Sequence, residues 1–500
     1  MIKRIRLKIF SFIEVRFLLS DNVKKIATLV ALLFIDLLAF YASLFAAFLT
    51  RKMLPYFFPA VPELLFSLNY FLELWWLALI FPFFIAYERL YFNKYPFWDE
   101  TYKLLKAVTF AIIGILALVS LGKMTDQVSR LTILLIWFYG LLVFPLFRLA
   151  GKHALYRAGL WKENIIIIGA GQAGIETAKG IQSQTYLGYN LIGFLDDADE
   201  KIGTSIEIKG TAYKVFGRTK NFKKFINKLG VSTIIIAIPS LPADQLAKLT
   251  NHIQKFVRNI LLIPDVKGVA LANTELQPLF VQQLFLLKIN NNLKSTPNRL
   301  IKRTFDMTVS ILFLPVLIPV IGILGLLIKL DSPGPIFYRH ARIGRHGCPF
   351  SIFKFRSMHC DAEKRLGILL DSGRGSKEEW ETFYKLKNDP RITRMGKFLR
   401  MTSLDELPQL FNVLRGEMSL VGPRPVLLEE IAKYYKEHAD YYHLVRPGIT
   451  GLWQVSGRND IDYAVRVRLD SWYVLNWSLW LDIVMLFKTI RVVLKRDGAY

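Results

Sequence analysis

Four apolar runs open the chain, at roughly 27–49, 69–87, 107–122 and 131–149. A helix needs about 20 apolar residues to cross a hydrocarbon core about 30 Å thick, and a helix satisfies every backbone polar group within its own segment. The third run is short on that scale. Four such runs in succession place the first 150 residues or so in a bilayer rather than in a soluble bundle. Basic residues set the orientation. The N-terminal tail carries Lys3, Arg4, Arg6, Lys8, Arg16, Lys24 and Lys25, and the second loop carries Arg89, Lys94, Lys103 and Lys106. Arg148, Lys152, Arg157 and Lys162 follow the fourth run, whereas the other two loops hold only Arg51, Lys52, Lys123 and Arg130. Basic residues stay inside, so the N-terminus, the second loop and everything after residue 150 are expected in the cytoplasm. No small-residue cleavage site follows a short apolar core, which predicts an uncleaved anchor. Tyr95, Phe97 and Trp98 suit an interfacial belt.

The segment 155–290 reads differently. Ile165 to Ile168 is a continuous apolar run of strand length, as in a parallel strand buried on both faces. Gly169-Ala170-Gly171-Gln172-Ala173-Gly174 follows and leads into a helical pattern; a second strand near 189–195 ends at Asp196, with further strands near 232–238 and 260–263. Strands alternating with helices predict a doubly wound, Rossmann-like α/β domain. Gly169, Gly171 and Gly174 fit a tight turn that presents a helix N-terminus to a diphosphate. Such turns also survive in domains that bind nothing, so NAD or another nucleotide stays an open expectation there.

A fifth apolar run, Met307 to Leu330, has Pro315 and Pro319 near its middle. Each proline removes a helical hydrogen bond and clashes with the preceding turn. Lys302 and Arg303 precede the run, and Lys329, Arg339 and Arg342 follow it. A helix broken at Pro315 that enters and leaves on one face satisfies both basic flanks; a kinked full span does not. The expected layout is 1–154 as four transmembrane helices, 155–290 as the α/β domain, and 291–500 as a mostly helical domain with a re-entrant helix at about 307–330. Its end, Trp472 to Arg496, suits either amphipathic helices in the headgroup layer or ordinary core helices.

The net charge of +25 has two uses in such a chain: contact with anionic lipids and binding of phosphorylated substrates. Nucleic acid is a poor fit to a multi-span protein. Two cysteines, Cys348 and Cys360, build neither a disulfide framework nor a zinc site, which points to a reducing cytosol for the soluble parts.

The densest chemistry lies at Arg400 to Leu410. Asp405 and Glu406 are adjacent carboxylates just before an apolar helix face made by Leu407, Leu410, Phe411 and Leu414. Ser403 and Glu406 have capping-box spacing, but Pro408 fits better if the helix starts later with Asp405 as its cap. Either placement is expected to lower a carboxylate pKa and to attract phosphate. Lys354, Arg356, Arg400, Arg424, Arg446 and Arg458 supply cations around the pair. Carboxylates that hold a hard metal, arginines that bind oxygens and a carboxylate that attacks phosphorus are what a magnesium diphosphate site requires.

The ordered strings Lys302-Arg303-x-x-Asp306, Lys354-Phe355-Arg356-Ser357-Met358, Asn388 to Thr393, Thr402 to Leu410, Ser419 to Pro425, Arg446 to Gly451 and Gly457-Arg458-Asn459 resemble the bacterial sugar transferase family, the monotopic phosphoglycosyl transferases. With its spans and middle domain, the whole chain is similar to members that act on UDP-galactose. The resemblance implies transfer of a hexose 1-phosphate from a UDP-sugar to undecaprenyl phosphate with release of UMP. It implies Asp405 as nucleophile, Glu406 as its partner in metal binding or proton handling, and Arg356, Arg400 and Arg424 on substrate phosphates or the nucleotide. It also implies Mg²⁺, a plasma-membrane location and a role at the start of O-antigen, capsule or exopolysaccharide assembly; a homodimer is left open. One departure stands out: Leu314-Pro315 replaces the usual Ser-Pro at the helix break. The rival readings are a UDP-glucose enzyme, a membrane-anchored NAD-dependent dehydratase or epimerase, and a non-catalytic scaffold. No Tyr-x-x-x-Lys base follows Gly169, which disfavours the second, and the intact acidic pair disfavours the third.

Overall fold

The computed structural model describes residues 21–63, 67–73, 75–123, 129–265, 274–279, 284–289, 291–362, 364, 389–456 and 462–495. The chain forms two compact units, Met1–Lys267 and Gly268–Tyr500.

The first unit opens with helices α1 (Asp21–Phe57), α2 (Leu68–Glu73), α3 (Trp76–Tyr87), α4 (Phe97–Leu121) and α5 (Arg130–Arg157). Helices α1, α4 and α5 are long and apolar enough to cross a membrane. The expected span at 69–87 is not one long helix. Trp75 is a turn residue, and α3, which follows it, has 12 residues, about 18 Å against a core of about 30 Å. A carboxylate such as Glu73 is costly at mid-membrane, and it lies two residues before that turn.

Four charges lie buried where these helices converge. Arg148 on α5 donates from Nε and Nη2 to Asp36 on α1 at 2.7 and 2.6 Å, and from Nη1 to Glu100 on α4 at 3.2 Å. Lys152 pairs with the other Glu100 oxygen, and the Tyr91 hydroxyl donates to Asp36 at 2.6 Å. All four charged side chains are at most 1% exposed. Removing one partner of such a pair strands the other and costs about 3–5 kcal/mol. Arg148→Met is therefore expected to lower the melting temperature in detergent by about 6–15 °C. A shift under about 2 °C in a thermal scan would contradict this account.

The α/β part follows in the same unit. Strands β1 (Glu163–Ile168), β2 (Tyr189–Leu195), β3 (Ser205–Ile208), β4 (Thr211–Val215), β5 (Val231–Ile236) and β6 (Asn259–Leu262) form a sheet in the order β3-β4-β2-β1-β5-β6. All neighbours are parallel except β3 and β4. The isoleucine run is buried on both faces, as expected. Ile166 and Ile168 pack with Ile226 and Ile253 of helices α7 (Phe222–Leu229) and α8 (Ala243–Ile253), while Ile165 and Ile167 pack with Ala178 of α6 (Gln172–Ser183).

The second unit contains a hairpin, β7 (Thr274–Leu279) and β8 (Leu284–Ile289), then the 36-residue helix α9 (Thr296–Asp331). Pro315 and Pro319 lie inside α9 and do not end it, unlike the break expected at Pro315. Their four-residue spacing puts both lost N–H groups on one face, so the opposite face keeps its ladder. Leu312, Phe313, Val316 and Ile318 in the middle are exposed. The two ends are not. Lys302 donates to Asp482 at 2.7 Å, Asp306 accepts from the Ser419 hydroxyl at 2.7 Å, and Arg303 donates to the carbonyls of Val413 and Leu414. At the other end, Leu324 and Ile328 share a core with Phe355 and Leu399, and Asp331 accepts from the Met395 amide at 3.0 Å.

Helices α10 (Arg394–Thr402), α11 (Gln409–Arg415), α12 (Tyr463–Leu475) and α13 (Leu479–Lys495), a hairpin of β9 (Phe337–Ile343) and β10 (Pro349–Phe355), and the short parallel pair β11 (Ser419–Val421) and β12 (Gly448–Thr450) follow in the same unit, with several shorter helical segments. Helix α13 buries Val484 and Met485 on one side and exposes Phe487, Ile490 and Leu494 on another.

Candidate active site

Two local devices bring Asp405 and Glu406 to Lys354. The first is the end of α10. Thr393 caps its start, accepting from the Gly396 amide at 2.9 Å. Gly396 is required there, because a Cβ would stand 1.9 Å from the Ser357 carbonyl oxygen. The helix stops at Ser403, whose φ of +55° is left-handed, and a single 3₁₀ turn, Leu404–Glu406, carries the acidic pair. The second device is Asn412 on α11, fully buried. Its amide donates to the Ser351 carbonyl at 2.8 Å and its oxygen accepts from the Phe353 amide at 3.0 Å. Both partners lie on β10, so the register of Lys354 against the turn is fixed.

In the resulting site Lys354 Nζ lies 2.7 Å from Glu406 Oε1. Arg400 donates from Nε to the Ser357 hydroxyl at 3.0 Å, and its charge acts on Asp405. Helix α11 starts later than either expected cap allows, after Pro408, and neither Ser403 nor Asp405 caps it. The expected lowering of the carboxylate pKa is reversed. Burial pushes Asp405 up to about 6; Glu406 adds to the rise, and Lys354 and Arg400 only partly oppose it. Without the capping bond, the helix terminus gives Asp405 little, and desolvation dominates.

The other predicted cations separate. Arg356 is buried, with its Nη atoms donating to the Ser332 and Pro333 carbonyls at 2.5 and 2.8 Å, so it ties the end of α9 to β10. Arg446 donates from Nε to the Gly416 carbonyl at 2.6 Å, at the end of α11. Arg424 lies over the Trp453 ring at 5.5 Å, in company with Arg342 and Arg466. Arg458 lies outside the described residues. The sequence did not show that Arg342 lies among His340, Glu430 and Arg424, or that Arg466 also neighbours Arg424. The signal for two of them was strand alternation: on β9, His340 and Arg342 share a face with Tyr338, and Tyr338 stands opposite Lys354.

Among the described residues no group of three His, Cys, Asp or Glu side chains could cage a metal. An adjacent carboxylate pair still fits Mg²⁺, which takes one or two carboxylates and completes its shell with water and substrate phosphates.

In the first unit, two of the three turn glycines answer to the chain itself. A Cβ on Gly169 would lie 2.6 Å from the Ala237 carbonyl, and one on Gly174 would lie 2.0 Å from the Gly169 carbonyl. Gly171 alone faces open space. Asp196, at the end of β2, accepts from the Ala170 amide of the turn at 2.7 Å.

Comparison with known proteins agrees with this division. The family model described as bacterial sugar transferase matches residues 297–496, and one described as CoA-binding domain matches residues 95–264. The chain is 41% identical to undecaprenyl-phosphate galactose phosphotransferase from Salmonella typhimurium, over 82% of this chain and 84% of that one. It is 40% identical to the UDP-galactose-lipid carrier transferase of Erwinia amylovora, over 82% and 84%. It is 31% identical to the UDP-glucose:undecaprenyl-phosphate glucose-1-phosphate transferase of Escherichia coli, over 79% and 82%.

Proposed function

Because the chain belongs to the bacterial sugar transferase family, we propose that it moves a hexose 1-phosphate, galactose 1-phosphate by preference, from a UDP-hexose to undecaprenyl phosphate. The observation that carries this reading is the turn at 404–406, which sets Asp405 and Glu406 beside Lys354 and Arg400. A carboxylate oxygen of Asp405 attacks the sugar-bearing phosphorus, the bond to the bridging oxygen breaks, and UMP departs. A phosphate oxygen of the polyprenyl carrier then attacks the acyl phosphate, which restores Asp405 and leaves a polyprenyl diphosphate sugar. Lys354 and Arg400 orient the diphosphate and offset its charge. Asp405 and Glu406 would hold Mg²⁺, which would supply further charge neutralisation when bound. The galactose preference rests on the two galactose-named relatives at 40–41% identity against 31% for the glucose-named one.

The pinned ends of α9 support a re-entrant helix. Arg303 and Ile328 would stand about 38 Å apart along a straight helix, yet Arg303 is held by α11 and Ile328 shares a core with Phe355 of β10, two residues along the strand from Phe353, which Asn412 of α11 binds. A bend at Pro315 and Pro319 meets both constraints. It puts the dyad at the headgroup layer of the plasma membrane, on the cytoplasmic side, where the nucleotide sugar and the lipid phosphate meet at the start of polysaccharide assembly.

The test is transfer from labelled UDP-sugars to undecaprenyl phosphate in detergent. UDP-galactose is expected to outpace UDP-glucose at least tenfold. EDTA is expected to reduce transfer to background and Mg²⁺ to restore it. Absence of lipid-linked product with every UDP-hexose would sink the reading, and full activity in chelator would remove the metal from it.

A further inference from the structure

An apolar trough runs along the seam between α1 and α5, two of the helices long and apolar enough to cross a membrane. Ile35 and Leu38 line it from α1, and Phe147, Ala150, Gly151 and Ala154 from α5. Gly151 sets its floor: a Cβ there would stand 2.4 Å from the Ile35 side chain, so the helices approach closely at that point. Ala150 and Ala154 are exposed at the rim and add little bulk, which leaves an open volume of about 340 Å³ in front of the seam. That lies at the lower end of the range for ligand pockets, about 300–1,000 Å³. From Phe147 to Ala154 the trough is about 10 Å long, enough for the upper part of one acyl chain. Ile35 and Gly151 are chain neighbours of Asp36 and Lys152, so the trough lies at the depth of the buried charge cluster.

One end of the trough is cationic. Arg157 is exposed and stands seven residues beyond Ala150, on the same face of α5. Lys24 lies about three turns before Ile35, on the trough side of α1. Its ammonium donates to the Lys162 carbonyl at 2.6 Å, and the Thr28 hydroxyl reaches the Leu160 carbonyl at 3.0 Å. The chain after α5 therefore folds back onto α1 and closes this end. The Lys162 ammonium lies over the Tyr156 ring at 4.8 Å, and aromatic rings among cations suit the headgroup level. Glu163, the next residue, is held by Lys94 at 2.8 Å and by the Ser232 and Thr233 hydroxyls, so its charge is committed elsewhere.

A hydrocarbon-facing trough that ends on three cations matches an amphiphile with an anionic head. We propose that the α1–α5 trough binds an anionic glycerophospholipid of the leaflet on the side of the α/β domain, with an acyl chain against Phe147, Ala150 and Ala154 and the headgroup phosphate at Lys24, Arg157 and Lys162. Charge disfavours a second copy of this chain there, because symmetric docking by this face would bring two such cationic ends together at one depth. Each basic residue near the headgroup layer contributes roughly fivefold to affinity for an anionic lipid. The bound chain covers the seam where Gly151 offers no side chain, beside the buried Arg148 and Lys152, and so stabilises the helix bundle.

The test uses the full chain, delipidated in detergent, with phosphatidylglycerol and phosphatidylcholine of identical acyl chains as probes. Native mass spectrometry measures the Kd of the most tightly held lipid, and a thermal scan the melting temperature. Phosphatidylglycerol is expected to bind wild type at least about tenfold tighter than phosphatidylcholine and to raise the melting temperature more. Arg157→Gln is expected to weaken phosphatidylglycerol about fivefold and to leave phosphatidylcholine within about twofold. Ala154→Phe fills the trough at an exposed position, and is expected to weaken both lipids at least about tenfold and to remove the thermal gain. Equal affinities of wild type for the two lipids, or a phosphatidylglycerol Kd that either folded variant leaves unchanged, would overturn the site. Undecaprenyl phosphate that displaces phosphatidylglycerol at a tenth of its concentration would give the trough to the carrier lipid instead. A particle mass halved by Ala154→Phe would give it to a second copy. Should Ala154→Phe fail to fold, the wild-type preference and the Arg157→Gln shift decide.

Discussion

Asp405→Asn is expected to release no UMP, with turnover below about 0.1% of wild type, and yet to melt at a higher temperature. The activity follows from chemistry: an amide is too poor a nucleophile to form the phosphoryl intermediate. Wild type incubated with UDP-galactose alone is expected to carry a hexose-phosphate mass on the peptide containing Asp405, and the variant none. The stability follows from linkage. Folding raises the Asp405 pKa from 3.8 to about 6, chiefly through burial, so ionising it opposes folding. The stabilising share of the protonated acid is fully present below about pH 4 and is lost as pH rises through about 6. Above pH 7 wild type bears the whole penalty, at most about 3 kcal/mol before solvent screening is discounted, and the amide bears none. A rise of about 2–5 °C is expected at pH 7.5, shrinking toward zero at pH 4.5. Substantial turnover by the variant would end the covalent mechanism. A variant that melts lower at pH 7.5 would mean that Asp405 is held by contacts rather than strained by burial.

Much of this was legible in the residues because the signals are local. The run Ile165–Ile168 can only be satisfied by burial on both faces, and the sheet buries it so. The neighbourhood of Asp405 and Glu406 was legible only through its context: an adjacent acidic pair before Pro408 serves equally well as a helix cap, and the cations Lys354 and Arg400 pointed beyond capping. Its electrostatics were not. A helix terminus argues for a lowered pKa, and only the packing of Leu404, Leu407 and β10 around the turn reveals that burial wins. Arginines were the least legible. Arg356 and Arg424 look alike in sequence, yet one is consumed by carbonyls at the end of α9 and the other stands over an indole among further cations. What a guanidinium faces is set by long-range contacts, and no spacing encodes them. The run at 69–87 misled for a related reason: its overall apolarity hid Glu73 and the turn at Trp75.

The path of α9 through the membrane is the remaining expectation with an all-or-none outcome. Both ends of the helix are fastened to one fold, and the exposed apolar middle between them needs hydrocarbon around it. Pro315 and Pro319 weaken the helix along one face, which is the face a bend opens. Two native thiols report on the far side: Cys348 and Cys360 are exposed and follow the helix. A cysteine placed at Arg299, also exposed, in a background with both native cysteines changed to Ser, reports on the near side. In intact cells an impermeant maleimide is expected to label none of the three until the membrane is opened. Replacing both prolines by Leu restores the lost hydrogen bonds and lets α9 straighten to about 54 Å, long enough to span. The Lys302–Asp482 and Asp331–Met395 contacts could not then both persist, because their partners sit on one compact unit. The double variant is expected to lose transferase activity and either to be degraded or to expose Cys348 and Cys360 to the outside reagent. If the unaltered protein labels at those cysteines in intact cells while position 299 stays shielded, the helix crosses, and the dyad cannot face cytosolic UDP-sugar.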